Sequence, residues 1–388
     1  MNFLYDLVAS QPNSSGAFHG GGKYAKKVFL ELCKLNTGWT IFGYFDSLKE
    51  LDQDIQNCCK EMQIQLIDKV NFDICTAIKK YDIKRFYSAL PEYMLDVLKT
   101  DCDFYGTVHG LRMLETRYSL HTLRFTKSSK EKIKYTFKIL FDRHFIKKDK
   151  MRLERYVVGK MKVIAVSEHT KYSIANYFPT INPENIKVFY SPSVTDYAYN
   201  SPNLHRDKHI DDLRDEYFLL VSGNRWIKNN LRAMQAFDQM LTERPYIKKK
   251  MVITGVNNPE IFSKHLIHKD KFVFLEYVDE DYLNHLFEHC YALMYLSLNE
   301  GFGYPPLEAM RHAKPVIASP LTSIPEICGE GVLYTNPFDI AEIKNRLLQI
   351  CLNDDRYKQF SKKGRLRYQE IYEKQKSDLL HLVSYLLN

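Results

Sequence analysis

The sequence lacks any apolar run long enough to cross a membrane. Its runs, such as YALMYLSL at 291–298, are far shorter than the roughly 20 residues that a spanning helix needs. The N-terminal stretch MNFLYDLVAS contains Asp6 among its apolar residues and has no basic segment ahead of them. We therefore expect neither a transmembrane helix nor a signal peptide.

The cysteines lack the paired spacing of a zinc site, and several lie inside apolar runs as small hydrophobic residues do. They occupy positions 33, 58, 59, 75, 102, 290, 328 and 351. This pattern indicates reduced thiols and favours a cytoplasmic location.

Three further absences narrow the function classes. No G-x-G-x-x-G follows the first predicted strand, which argues against a dehydrogenase. The net charge is +8, but no recognisable nucleic-acid-binding module accompanies it, so we expect no nucleic-acid partner. The chain also has no internal repeat. With 45% hydrophobic and 26% charged residues over 388 positions, the composition predicts a globular chain of two domains.

The second half of the chain alternates strands and helices from residue 217 onward. Short apolar runs are separated by segments with helical spacing, the runs being YFLLVSG, KMVITG, KFVFLEYV, YALMYLSL and KPVIAS. Between the first two runs, Leu231, Met234, Phe237 and Leu241 fall on one helical stripe. This alternation predicts a doubly wound parallel sheet.

The first half repeats this organisation less clearly. Candidate strands are FLYDLVAS, GWTIFGYF, DFYGTVHG, KVIAVS and KVFY. We predict an N-terminal domain over 1–195, a linker over 196–215 that is rich in Ser, Pro, Asn and Asp, and a C-terminal domain over 216–371. The helical stretch 372–388 is expected to cross back to the N-terminal domain. The predicted fold class is α/β, with two Rossmann-like domains whose strand ends line a central cleft.

Two glutamates bracket a predicted strand-to-helix turn in NEGFGYPPLEAM, residues 299–310. Glu300 follows a strand, and Gly301 and Gly303 allow a tight turn whose amides can approach a ligand. Two prolines then suit the start of a helix that carries Glu308 in its first turn. Carboxylates accept the paired hydrogen bonds of a diol, and helix-start amides attract an anion. The pattern therefore favours a nucleoside diphosphate sugar as the ligand, although two solvated acids are the alternative.

The full string E-G-F-G-x-P-P-L-E-A-M, followed by K-P-V-I-A-S, resembles the retaining glycosyltransferases of family 4, which have the two-domain GT-B fold. The resemblance extends through residues 278–310 and 323–334, and in general layout over the chain. It implies that Glu300 contacts the transferred sugar and Glu308 the nucleotide ribose. Gly301, Phe302 and Gly303 between them belong to the implied donor site.

Two cations in the loop after the predicted strand YFLLVSG are candidates for binding the diphosphate. Arg225 and Lys228 lie in SGNRWIKNN, where the resembling family has a G-R-x-x-x-K-N element, from which this chain departs. Surface cations at a helix start are the alternative. Near the N-terminus, Gly20, Gly21 and Gly22 match the family's glycine-rich first loop, before a helix that is expected to open at Lys23.

No catalytic metal is expected. Asp-x-Asp, the metal-binding pattern of the other major glycosyltransferase fold, occurs at Asp52/Asp54, Asp101/Asp103 and Asp279/Asp281. The first lies in a polar helix, the second precedes a strand, and the third is typical of a helix start. The chain is therefore expected to neutralise the diphosphate with fixed cations and amides.

Further candidates come from strand ends. His109 ends DFYGTVHG and is assigned to sugar or transition-state contact, although the family's usual His-Asp is His109-Gly110 here. Ser167 is interpreted first as a helix N-cap. Tyr277 and Val278 match the family's base-pocket segment, with ordinary core packing as the alternative.

The resemblance implies a metal-independent, retaining hexosyltransferase that moves a sugar from a nucleotide donor to a hydroxyl acceptor. The acceptor is expected to be a growing, lipid-linked oligosaccharide in surface polysaccharide assembly. The basic, aromatic stretch 117–162 is either a contact with an anionic membrane at its inner face or a solvated helical surface. Alternatives are an epimerase or phosphorylase of the same fold and a non-catalytic sugar-nucleotide binding protein.

Overall fold

The structure, a computed structural model, describes residues 1–12, 20–35, 38–126, 128–193 and 212–388. The chain divides into two compact units. The first comprises the described residues within Met1–Leu114, Ile146–Tyr197 and Tyr372–Asn388, and the second those within Glu115–Phe145 and Ala198–Ile371. Most of the predicted linker, 196–211, lies outside the described residues, and the predicted domain boundaries stay predictions.

The described part of the first unit contains a parallel sheet of seven strands in the order β3-β2-β1-β4-β5-β6-β7. The strands are β1 (Asn2–Asp6), β2 (Thr40–Phe45), β3 (Gln65–Asp68), β4 (Ile83–Ser88), β5 (Asp103–Val108), β6 (Lys162–Ala165) and β7 (Lys187–Val188). Strand order reverses between β1 and β4, which pair directly, so the edge beyond their carboxyl ends is where a ligand of such a sheet binds.

Helices connect these strands, as a parallel sheet requires. They are α1 (Gly20–Leu32), α2 (Gln53–Glu61), α3 (Ile74–Lys80), α4 (Arg112–Glu115), α5 (Ser129–Leu140), α6 (Asp142–Val157) and α7 (Glu168–Tyr177). Asp52, Asp73, Ser128 and Ser167 each accept a hydrogen bond from a first-turn amide at the start of α2, α3, α5 and α7 respectively. The N-cap interpretation of Ser167 is therefore confirmed.

The second unit repeats the topology. Its described residues form a parallel sheet of six strands in the order β10-β9-β8-β11-β12-β13. The strands are β8 (Tyr217–Leu220), β9 (Lys250–Ile253), β10 (Phe272–Phe274), β11 (Ala292–Tyr295), β12 (Val316–Ala318) and β13 (Leu333–Tyr334). The helices are α8 (Asn230–Glu243), α9 (Glu260–Ser263), α10 (Glu280–His289), α11 (Tyr304–Arg311), α12 (Ile324–Cys328), α13 (Ile340–Cys351) and α14 (Asp354–Leu387).

The core of the second unit follows the predicted apolar pattern. Leu231, Met234, Phe237 and Leu241 of α8 are all buried and pack on the sheet. The switch in strand order lies between β8 and β11, which pair directly, Phe218 with Ala292 and Leu219 with Leu293. The two loops that leave this point carry the candidate residues Arg225 to Lys228 and Glu300.

The end of α14 packs in the first unit, as the sequence predicts. The Trp39 indole N–H donates to the Leu387 carbonyl at 2.8 Å, and the Arg85 guanidinium donates to the Leu386 carbonyl at 2.6 Å. Asp378, also in this segment, accepts from the Tyr190 amide at 2.8 Å. Within the described ranges, no helix combines the length and apolarity that crossing a bilayer requires.

Candidate active site

The segment between β11 and α11 has the predicted strand–turn–helix form. Gly303 occupies the N-cap of α11 with φ at +120°, a backbone conformation that favours glycine, and a proline occupies the first helical turn. The sequence suggested that Glu308 lies in the first turn of this helix. The helix begins at Tyr304, so Glu308 lies in its second turn. The helix-start amides and Glu308 are therefore one turn apart.

Glu300 is held in a buried polar cluster. Its Oε1 accepts from the Lys228 ammonium and from the Ser297 hydroxyl, each at 2.5 Å. The Lys228 ammonium also donates to the Tyr295 hydroxyl at 2.8 Å. The side chains of Lys228 and Glu300 retain 6% and 17% of their exposure, so this ion pair has little access to water. Two candidate residues from separate loops thus meet at the sheet's switch point.

The cluster keeps Glu300 ionised. Burial by itself would raise the pKa of the Glu300 carboxyl, but the Lys228 charge and the hydrogen bonds from Lys228, Ser297 and Tyr295 outweigh it, and the pKa lies below its ordinary value. Burial and the neighbouring Glu300 charge raise the pKa of Tyr295 well above its ordinary value. Tyr295 therefore stays a neutral hydroxyl that hydrogen-bonds both members of the pair.

The backbone at Glu300 is fixed by the segment that follows β12. The Glu300 amide donates to the Thr322 hydroxyl at 2.9 Å. The Ser323 hydroxyl contacts the Glu300 carbonyl at 3.0 Å and the Phe302 carbonyl at 2.8 Å. The Glu300 amide is therefore bonded inside the protein, and the approach of a ligand to the amides of the turn at Gly301 and Gly303 stays a prediction.

Glu308 is partly buried on α11. Arg311, one helical turn on, is an ion-pair partner of Glu308, with a closest nitrogen–oxygen distance of 3.9 Å. This separation is longer than a hydrogen bond, so the two groups interact only through their charges.

The loop after β8 presents one exposed and one buried cation. Arg225 is exposed, whereas Lys228 lies in the short 3₁₀ turn Trp226–Lys228 and is buried. Asn229 adopts a left-handed conformation at φ +58° and donates to the Pro337 carbonyl at 2.6 Å. Asn230 donates to the Val221 carbonyl at 3.0 Å. The two asparagines that depart from the family's pattern therefore hold the turn that directs Lys228.

A segment that the sequence did not connect with the site packs against both loops. The Asn299 amide donates to the Glu115 carboxylate at 2.6 Å, directly beside Glu300. The centroid of the Tyr118 ring lies 5.7 Å from that of Trp226, which stands between Arg225 and Lys228 in the sequence. Neither contact has a local sequence signal, because the partners are more than 100 residues apart.

The predicted base-pocket residues lie beyond the end of β10. This strand ends at Phe274, before the predicted Tyr277. Tyr277 is 75% exposed, so the alternative of ordinary core packing is wrong for this residue. Val278 is half-buried just before the Asp279 N-cap of α10.

In the first unit, Gly20, Gly21 and Gly22 form the first turn of α1, which starts earlier than the predicted Lys23. The preceding residues, 13–19, lie outside the described residues. His109 follows β5; its Nε2 lies 3.0 Å from the Ala89 carbonyl, and its ring lies edge-on to that of Tyr24 at 4.7 Å. The structure thus brings His109 and the start of α1 together.

Asp6 is a buried carboxylate that the sequence did not single out. It ends β1 and accepts from the Ser88 hydroxyl at the end of β4, at 2.6 Å, across the switch point of the first sheet. Its other carboxylate oxygen has no hydrogen-bond partner among the described residues. Burial raises its pKa to about 7, although the bond from Ser88 opposes the shift.

The Asp-x-Asp pairs occupy the structural positions that the sequence indicated. Asp52 and Asp279 are helix N-caps, and Lys26 bridges Asp52 and Asp54 at 2.8 and 2.7 Å. Asp103 is the first residue of β5.

Comparison with known proteins relates part of the chain to a known family. Residues 203–367 match the model of the glycosyl transferases group 1. The chain is 30% identical over 181 residues to the O-antigen chain mannosyltransferase RfbU of Salmonella typhimurium, covering 46% of this chain and 47% of that one. It is 38% identical over 149 residues to O-antigen chain mannosyltransferase B of Escherichia coli, covering 37% and 39% respectively. The matches thus span less than half the length of these relatives.

Similarity to solved structures extends over the whole chain. Anabaena HepE, solved in complex with UDP-glucose, superposes with a TM-score of 0.64 at 14% identity, covering 99% of this chain and all of that one. WaaG, a glycosyltransferase involved in lipopolysaccharide biosynthesis, superposes with a TM-score of 0.61 at 10% identity, covering 97% and 98%. The predicted fold class of two Rossmann-like parallel sheets, the GT-B fold, is confirmed.

Proposed function

We propose that this protein is a retaining glycosyltransferase that transfers a hexose from a nucleoside diphosphate donor to a hydroxyl of a growing saccharide. The observation that carries the proposal is the buried Lys228–Glu300 pair at the switch point of the second sheet. The family match over residues 203–367, and the names of the O-antigen relatives, support mannose as the first donor sugar to test.

The site suits an anionic donor with hydroxyls on both sides of its diphosphate. Arg225, Lys228 and Glu300 together carry one net positive charge, and the N-terminus of α11 adds a partial positive charge nearby. Glu300 is positioned for the hexose hydroxyls, and Glu308, one turn into the helix, for the ribose. These roles rest on the resemblance of the E-x7-E element.

In the proposed reaction the bond between the sugar's anomeric carbon and the diphosphate oxygen breaks. A new bond forms from that carbon to the acceptor oxygen, and the acceptor's hydroxyl proton leaves with the diphosphate. The leaving group is already a stable anion, so its stabilisation by cations and amides is the main requirement, with roughly 3 kcal/mol from each well-placed donor. The ionised Glu300 beside the anomeric centre favours a positively charged transition state.

His109 is proposed to contact the sugar or the transition state. The bond to the Ala89 carbonyl and the edge of Tyr24 fix the orientation of its ring. Because a carbonyl oxygen only accepts, Nε2 carries the proton in this arrangement. Gly20 to Gly22 lie in the first turn of α1, where helix-start amides attract phosphate or acceptor oxygens.

The first test is incubation of the purified chain with a panel of nucleotide hexoses and saccharide acceptors, beginning with a nucleotide-activated mannose. Nucleotide release that depends on an acceptor, together with an NMR-determined product whose anomeric configuration matches the donor, supports the proposal. Epimerisation of the donor in the absence of an acceptor indicates an epimerase. Nucleotide release that requires only phosphate indicates a phosphorylase. Tight donor binding without release under any condition indicates a binding protein.

An anionic membrane surface is the proposed location of the acceptor. Every residue of α5, which the structure describes in full, is at least partly exposed. Ile133, Phe137 and Leu140 share one face with 58%, 53% and 71% exposure. Lys132 and Lys134 flank Ile133, so their stems can lie along the apolar face while their charges reach lipid phosphates.

Vesicle co-sedimentation tests this contact. We expect binding to vesicles with anionic lipid and weaker binding to zwitterionic vesicles, and the double variant Ile133→Ser/Phe137→Ser should bind less. The control Ile267→Ser removes a side chain with 74% exposure away from α5 and should bind as the wild type does. Equal sedimentation of all variants, or no dependence on anionic lipid, contradicts the membrane contact.

A further inference from the structure

Helix α10 carries two histidines and a glutamate on one part of its surface, outside the proposed donor site. His285, Glu288 and His289 form an H-x-x-E-H sequence, with spacings of three and four residues that share a helical face. One potential ligand atom from each lies within 4.8 Å of the others. Tyr282, Leu286 and Phe287 of this helix are buried, whereas His285 and His289 are partly exposed and Glu288 is exposed.

The orientation of His289 is that of a metal ligand. Its Nδ1 lies 2.9 Å from the His285 carbonyl oxygen. A carbonyl oxygen only accepts, so Nδ1 carries the proton and the lone pair is on Nε2. Metal-binding histidines usually have their second nitrogen fixed in this way by a backbone carbonyl or carboxylate. The ring centroids of His285 and His289 are 4.2 Å apart, with an interplanar angle of 34°.

We propose that His285, Glu288 and His289 bind a divalent transition-metal ion, with Zn²⁺ as the ion to test first. Two imidazoles and one carboxylate suit zinc, copper or nickel, whereas magnesium and calcium prefer oxygen ligands alone. Three protein ligands leave a fourth tetrahedral position for water or an external group.

The geometry requires a small side-chain adjustment. Zinc–nitrogen distances of about 2.0–2.1 Å place tetrahedral ligand atoms about 3.4 Å apart, so a pair at the 4.8 Å limit must approach by about 1.4 Å. His285 and His289 are partly exposed and Glu288 is exposed, and none of the three is locked in the core. Metal binding therefore requires rotation of these side chains.

Metal binding would stabilise the last turn of α10, whose end is already anchored beside the second sheet. The His289 carbonyl accepts from the Asp215 amide at 2.8 Å, just before β8. A ligand that binds only the folded helix stabilises it by mass action, in proportion to the logarithm of its concentration. This role is structural and is independent of the proposed sugar transfer.

Isothermal titration of Zn²⁺ into the full chain, purified without a polyhistidine tag and stripped with EDTA, tests the site. We expect one-to-one binding and a rise in melting temperature with added Zn²⁺, but neither effect with Mg²⁺. His289→Gln and His285→Gln should each weaken Zn²⁺ binding by about tenfold or more. The matched control His265→Gln changes an exposed histidine elsewhere in the same unit and should bind as the wild type does.

Circular dichroism and the melting temperature without metal establish that each variant is folded. Co²⁺ provides a second readout, because its visible absorption should show a tetrahedral environment in the wild type and lose it in His289→Gln. No Zn²⁺ binding by the wild type, or equal binding by the wild type and both α10 variants, overturns the proposal.

Discussion

Replacing Lys228 by methionine removes the cation from a buried ion pair while keeping most of the side chain's length. Lys228 and Glu300 are in contact at 2.5 Å, and their side chains retain 6% and 17% exposure. Without Lys228, the Glu300 carboxylate keeps the hydrogen bond from Ser297 but loses its opposite charge. The remaining charge is then buried without compensation.

Breaking a buried pair by removing one partner costs about 3–5 kcal/mol of stability. Lys228→Met should therefore lower the free energy of unfolding of the second unit by an amount in this range. Glu300→Gln combined with Lys228→Met leaves neither charge unpaired, so the double variant should recover a substantial part of the loss. Nucleotide release should not recover with it, because the loss of one transition-state donor costs about 10²–10³ in rate.

Urea unfolding followed by circular dichroism, in parallel with the donor assay, measures both effects. Lys344→Met is the matched control, since its partner Glu243 is also 2.5 Å away but is 48% exposed. A more exposed pair of this kind contributes at most about 1 kcal/mol. Equal stability of Lys228→Met and the control, or recovery of activity in the double variant, would refute the reasoning.

Three further predictions concern other parts of the two units. Asp6→Asn should raise the urea midpoint at pH 8 but not at pH 4. The pKa of the Asp6 carboxyl is about 7 in the folded state, above its value in the unfolded chain. The free energy of unfolding of the wild type therefore falls as pH rises between the two pKa values, by up to about 4 kcal/mol, and the variant avoids this loss. An equal effect at both pH values contradicts this. Glu115→Ala removes the acceptor of the Asn299 amide and should raise KM for the donor more than it lowers kcat. Unchanged steady-state kinetics would show that this contact does not contribute to donor binding. Gly303→Ala forces a Cβ into φ +120° and should cost about 1–3 kcal/mol of stability, measured by thermal unfolding, whereas Gly20→Ala, where a Cβ meets no atom within 4 Å, should not.

Much of the fold follows from the sequence because buried parallel strands are short, apolar and separated by helical periods. Strands β8 to β12 have this form, and each was predicted. Strands β3 and β4 were not, because QLID is short and partly polar and IKRFYS contains two basic residues. Arg85 in β4 becomes explicable only in the structure, where it bonds the end of α14, about 300 residues away.

The candidate site was predicted in its local elements but not in its pairings. The pattern of glycines and prolines after Glu300 predicts a strand–turn–helix segment, and the structure has one. Nothing in the sequence indicates that Lys228 contacts Glu300, because the residues are 72 positions apart and meet only through the adjacency of β8 and β11. The glycines at 20–22 permit a loop or a helix start equally, and tertiary packing of α1 selects the helix.

The central claim is that the E-x7-E element and Lys228 hold a nucleoside diphosphate sugar at the switch point of the second sheet. A crystal structure of the full chain soaked with its best-binding nucleotide hexose tests this most directly. The account predicts the Glu300 carboxylate on hexose hydroxyls, the Glu308 carboxylate on the ribose, and the diphosphate beside Arg225 and Lys228. A donor bound elsewhere, or one whose diphosphate contacts neither cation, would contradict it.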